Sequence, residues 1–172
     1  MHSVALFLAL CFLALVFGTF VAGPALTLLH ELGHGFAGVL LTSGRVTVVQ
    51  GFDPPLLRFA LGRVDVRLRP FAGPRSAFYG FCDHDEDGLS RRRSVVILAA
   101  GPVVSLLAAA AAGSAVAVAA SGIGAWLAWV VVAAAVNQFL FTAIPMRYGR
   151  LFGPYAGWES DGLAVLQLLR SR

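Results

Sequence analysis

Residues 3–42 are almost wholly apolar. At ~1.5 Å per residue, one straight helix of that length reaches ~60 Å, about twice the hydrocarbon thickness of a bilayer. A break is therefore expected, and Gly18, Gly23 and Pro24 mark it. The pattern predicts one span over about 3–21 and a second over about 24–42. Apolar blocks at 94–120 and 125–146 predict a third and a fourth, joined by a tight turn at Ser121-Gly122-Ile123-Gly124. The third is rich in Ala, Gly and Ser, which let membrane helices approach closely. Trp126 and Trp129 open the fourth, where an interfacial belt places aromatic rings. The rival for residues 1–23 is a cleaved signal peptide, disfavoured because no Lys or Arg precedes the long apolar run.

Between the second and third spans the period changes. Gly44–Gln50, Leu56–Ala60 and Arg63–Arg69 carry β-branched residues. The last alternates strictly, with Val64, Val66 and Leu68 on one face and Arg63, Asp65, Arg67 and Arg69 on the other. Period two predicts a half-exposed strand. Turns are supplied by Asp53-Pro54-Pro55 and Leu61-Gly62. The expected fold is thus an all-α integral membrane protein of one domain, residues 1–172. It has about four transmembrane helices and a small antiparallel β-sheet in the surface region 43–92. A strand at the mouth of a site can also pair with an extended peptide. Residues 147–172 predict a Gly-rich loop followed by a short apolar helix, which Ser160 or Asp161 could cap.

Composition agrees: the chain is 58% hydrophobic and 13% charged, well below the roughly 25% charge of an ordinary soluble domain. Its 13 basic residues are all Arg, against 9 acids. Nine Arg lie in 43–93 and four in 147–172, with none in the short turns. With four spans these segments share one side, which the positive-inside rule makes cytoplasmic; with three they would face opposite sides. The Arg excess is assigned to lipid headgroups, not to nucleic acid. The Ala, Arg and Gly bias suggests a bacterial cell membrane. Cys11 and Cys82 do not form a disulfide framework. Asp83, Asp85, Asp87 and Gly88 copy the start of a calcium loop, but Ser94 stands where a bidentate Glu is needed. A hydrated acidic loop followed by headgroup-binding Arg91, Arg92 and Arg93 is the simpler reading, with His84 a surface residue.

One stretch breaks the apolar pattern. His30-Glu31-Leu32-Gly33-His34 lies in a run with no charged or imidazole side chain between His2 and His30, nor from Gly35 to Gly44. Such groups inside hydrocarbon are costly and usually functional. Two His four apart stand one turn apart on one helix face and can reach one zinc ion, with Glu31 beside it as general base. A catalytic zinc usually takes three protein ligands. The candidates for the third are Asp53, Asp65, Asp83, Asp85, Glu86, Asp87, His84, Glu159 and Asp161. Asn137, about halfway along the fourth span, is the other notable polar group there.

In these residues the chain resembles the site-2 protease family of intramembrane zinc metalloproteases, in its compact bacterial branch. His30-Glu31-Leu32-Gly33-His34 matches the zinc motif, and Ala100-Gly101-Pro102-Val103-Val104-Ser105 looks like the Gly-Pro motif of the next core span. Asn137 followed by Pro145, and then Asp161-Gly162, look like the last motif. The resemblance runs from about residue 24 to 165. It implies one Zn²⁺ per chain held by His30, His34 and Asp161, with Glu31 as general base. It also implies that Asn137 holds the substrate backbone, and that the substrate is a membrane protein segment whose helix must open. It prefers Asp161 to Glu159. Two departures stand out: sixteen positions separate Pro145 from Asp161, so the chain must fold back, and Ser105 stands where some members have Asn. The competing expectations are an inactive relative acting as a binding or chaperone-like partner, and a small metal transporter. The intact Glu31 argues against the first.

Overall fold

The structure is a computed structural model and describes residues 2–52, 54–70, 76, 78–85, 88–119 and 121–171. Three of its helical stretches are long and apolar enough to cross a membrane: Ser3–Leu41, Arg91–Val118 and Gly122–Ala143. Three candidate spans stand where the sequence predicts four, because the break at Gly18–Pro24 is a widened turn inside one helical stretch. Helix α1 (His2–Phe17) runs through a π-helical turn (Gly18–Ala22) into α2 (Gly23–Leu41). Phe17, Ala22 and Gly23 all keep helical dihedrals, and Gly23 N–H donates five residues back to Gly18 O. Pro24 has no N–H, and its ring presses on the carbonyl four residues earlier. One extra residue in the preceding turn accommodates both effects without ending the helix.

Helices α3 (Arg91–Ala119) and α4 (Gly122–Ala143) form an antiparallel hairpin against α2. Small side chains make the contact: Ala22 and Leu26 meet Ala109 and Ala135. Because α3 and α4 are a hairpin, the Arg-rich loop and the tail lie at the same end whether three or four spans are counted. Charge asymmetry therefore does not separate the two counts. Helix α2 is apolar outside and polar inside. Leu29, Leu32, Phe36 and Leu40 are exposed, while Thr27, His30, Glu31 and His34 are buried. That inversion suits a helix whose outer face meets lipid.

The sheet has four strands, β1 (Val46–Gly51), β2 (Leu57–Leu61), β3 (Val64–Arg69) and β4 (Gly80–His84), in the order β2-β3-β1-β4. It is mixed, not antiparallel: β1 and β3 are parallel, whereas β1–β4 and β2–β3 are antiparallel. The β2–β3 hairpin swings β2 to the outside, which lays β3 alongside β1 in the same direction. Alternation fixes which face a residue takes, not which strand lies beside it. Strand β1 is buried against α2, where Gly35 and Gly38 leave room for Val48 and Val46.

One expected face differs. Asp65 was placed with the solvent-facing residues of β3, yet it is buried. Arg58 and Arg67 stand opposite each other in register, and both donate to its carboxylate at 2.8–3.0 Å. These hydrogen bonds, from Arg58 first, hold the Asp65 carboxyl below its ordinary range. Strand β4 falls where the sequence predicts a solvated loop. Its alternation spans five residues between Gly80 and Asp85, too few to stand out.

Helix α4 ends at Ala143 because Pro145 follows; Ile144 is already extended, as the residue before proline prefers. The chain then folds back through a loop closed by Tyr148 N–H to Trp158 O (2.9 Å) and Gly157 N–H to Tyr148 O (2.8 Å). Its tip carries a short 3₁₀ turn, Arg150–Tyr155. Helix α5 (Asp161–Arg170) follows.

Candidate metal centre

Three elements converge on the buried face of α2. His30 and His34 sit one turn apart, with ring centroids 4.8 Å apart and an interplanar angle of 82°. Helix α3 supplies the outer support. His34 Nδ1–H donates to Ile97 O at 2.7 Å, and His30 Nδ1 lies 2.9 Å from Ser105 Oγ. A carbonyl can only accept, so the proton of a neutral His34 sits on Nδ1 and its Nε2 carries the lone pair. Hydrogen bonds of this kind fix the ring orientation and tautomer of metal-ligating His.

Room for the two rings comes from Gly101. A Cβ there would overlap His34 Nε2 and lie 2.8 Å from His30 Cε1. Gly33 makes the matching space on α2, where a Cβ would sit 2.9 Å from Ala100 O. Both glycines are chosen by close approach, not by dihedral angles: each lies in a regular helix.

Asp161 arrives from the other end of the chain. Ser160, almost fully buried, makes the return. Its hydroxyl donates to Ile144 O (2.8 Å) and accepts from Met146 N–H (3.0 Å) and Leu163 N–H (3.2 Å). Ser160 is therefore the N-cap of α5, and Asp161 is free for the histidines. Gly162 packs so tightly on the end of α4 that a Cβ would overlap Ala143 O. Asp161 Oδ2 lies 3.2 Å from His30 Nε2 and 3.6 Å from His34 Nε2, and the two Nε2 atoms are 3.2 Å apart. Burial opposes charge on Asp161, while the neighbouring imidazoles of His30 and His34, when protonated, hold its carboxyl below the ordinary range.

The three groups could hold a metal ion. The distances fit one: ligand bonds of ~2.0–2.1 Å in a tetrahedron give edges of about 3.3 Å. The donor chemistry fits as well. A carboxylate oxygen and an imidazole lone pair converge at a buried point, an arrangement that a cation relieves. Among the described residues no other group of three or more His, Cys, Asp or Glu side chains meets in this way.

The other candidates lie elsewhere. Glu159 pairs with Arg147 and accepts from Gln167 at 3.0 Å. Asp65 is held by its two arginines. His84 is half-buried on β4, its Nδ1 without a hydrogen-bond partner. Asp83 and Asp85 are exposed, and Asp53, Glu86 and Asp87 lie outside the described residues.

Glu31 is buried beside these three residues, against the start of β4; a Cβ on Gly80 would lie 3.0 Å from Glu31 Oε1. Glu31, both His and Asp161 line a cavity of about 840 Å³ that extends between α4, β4 and the C-terminal loop. Asn137 lines the same cavity, and among the described residues its side-chain amide has no hydrogen-bond partner. Tyr155 stands over this cavity with Tyr79 and Trp158, ring centroids 5.2 and 5.8 Å away. Tyr155 carries no local sequence signal, whereas Gly101 stands in the Gly-Pro stretch singled out from the sequence. No family model, curated protein or solved structure matches the chain.

Proposed function

We propose that the chain is an intramembrane zinc metalloprotease that cleaves membrane-embedded or membrane-proximal protein segments, similar to the site-2 protease family. The observation that carries this reading is the meeting of Asp161 with His30 and His34, and with buried Glu31 beside them, at a helix of membrane-crossing length and composition that carries His30, Glu31 and His34. A zinc ion held by these three would acidify a water and polarise a scissile carbonyl. Glu31 accepts the proton of the attacking water and passes it to the leaving nitrogen. Ser105 and Ile97 O keep the two imidazoles turned inward. Asn137, whose side chain lines the cavity, holds the substrate backbone. The cavity admits water and a short opened segment, as non-helical backbone at membrane depth requires. The Arg-rich loop and the tail face the cytoplasm in this reading.

Glu31→Gln tests it. The variant keeps its metal, and cleavage of a membrane substrate falls by at least the ~10²–10⁴-fold that general-base catalysis contributes. Undiminished cleavage removes Glu31 from the mechanism. A wild-type chain that binds metal and cleaves nothing points to an inactive relative.

A further inference from the structure

The free edge of β4 is blocked at one place. Gly51 N–H bonds Tyr79 O, and antiparallel partners alternate between bonded and non-bonded pairs. Gly80, Cys82 and His84 therefore turn their N–H and C=O away from β1. The outward groups of Cys82 and His84 have no partner among the described residues. Those of Gly80 are both taken by a single side chain: the Tyr155 hydroxyl accepts from Gly80 N–H at 2.7 Å and donates to Gly80 O at 2.7 Å. A neighbouring strand would offer the same two functions, one acceptor and one donor, at the same residue.

The location gives this bond its meaning. Gly80 is the β4 residue against Glu31, and Gly80, Tyr155, Glu31 and both His line one cavity. Tyr155 is carried by the loop that fills the fifteen positions between Pro145 and Asp161. Burial, and then the nearby charge of Glu31, push its hydroxyl above the ordinary range, so it stays protonated and able to donate.

We propose that Tyr155 determines the specificity of this site: its hydroxyl stands in for the backbone of an extended peptide at Gly80, and a substrate must displace it with its own N–H and C=O. The proposal rests on the protease reading. A helical segment has its backbone groups bonded internally and cannot compete for Gly80. An extended one can, and in doing so it lays its backbone beside Glu31. Tyr155 is thus a positioning residue that acts through the strand edge and does not touch the reacting bond.

The test uses the full chain in detergent and Tyr155→Phe, which keeps the ring packed on Tyr79 and Trp158 and removes only the hydroxyl. Metal content of the variant is measured first and should match wild type. Amide exchange at Gly80 should then rise by roughly ten-fold, the scale of one or two lost hydrogen bonds. Two synthetic membrane segments serve as substrates, one extended by β-branched residues and a glycine at its centre, the other with a helical Leu–Ala core. For the extended segment KM should fall by roughly ten-fold with kcat unchanged, and the preference over the helical segment should change accordingly. Unchanged KM together with undiminished cleavage overturns the proposal alone, as does unchanged exchange at Gly80. Wild-type chain that holds metal but cleaves neither segment overturns the protease reading and the proposal with it.

Discussion

The two parts of the candidate ligand set are held in opposite ways. His30 and His34 stand on a long helix packed on α3 through glycine, where position is set by the absence of atoms at Gly33 and Gly101. Asp161 stands on a ten-residue helix whose place is set by hydrogen bonds centred on one hydroxyl, Ser160. The first arrangement is steric and tolerates no added atom. The second is mainly polar, with one tight contact at Gly162, and its hydrogen bonds can loosen at a modest energetic cost. A site assembled from both should fail abruptly when the α2–α3 contact is altered and gradually when the tail is.

The largest effect is expected at Gly101. Elsewhere in a helix Gly→Ala stabilises by about 1 kcal/mol. Here Gly101→Ala drives a methyl into both imidazoles, so metal affinity should fall by more than about 100-fold, beyond the usual effect of losing an outer hydrogen bond. Titration of the metal-free protein with zinc reads it directly. Unchanged affinity would show that the rings have another place to go, and the steric half of the comparison would be lost.

A smaller effect is expected at Ser105. Ser105→Ala leaves the helix contact intact but frees His30 Nδ1, and metal affinity should fall by about 10–100-fold. An effect equal to that of Gly101→Ala would mean that α3 holds the rings by hydrogen bonding more than by shape. The smallest belongs to the tail. Ser160→Ala removes a helix cap worth about 0.5–2 kcal/mol. Amide exchange at Met146 and Leu163 should quicken, with only a several-fold loss of metal affinity. A complete loss of metal would show that the tail has no other anchor, against the polar bonds of the closed loop and the packing of Gly162 on α4.

What the sequence discloses follows the same division. His30, Glu31 and His34 are legible because their chemistry is local, within five positions of one helix, and because nothing charged surrounds them in the sequence. The apolar helices are legible by length and composition. Their count is not, because whether Pro24 ends a helix or is absorbed by a π-helical turn depends on one backbone hydrogen bond. Asp161 is not legible from spacing: without a family resemblance it is one of nine acids and histidines. The long stretch between Pro145 and Asp161 hides both the fold-back and Tyr155. Strands β1, β2 and β3 are visible as short runs between turns, β3 alone with strict period two, yet β4 and the parallel neighbour of β1 are not, since strand order is a non-local property. Asp65 is misread for a related reason. Its alternation is correct, but burial depends on two arginines, one of which lies on another strand.

The measurement closest to the central claim is the zinc content of freshly purified, detergent-solubilised protein, with wild type beside Asp161→Ala and Glu159→Ala. A three-ligand centre built from both ends of the chain predicts about one zinc in wild type, the same in Glu159→Ala, and clearly less in Asp161→Ala. Equal zinc in all three would contradict the assignment of Asp161 as a ligand, and a folded wild type that takes up no zinc would contradict the metal centre itself.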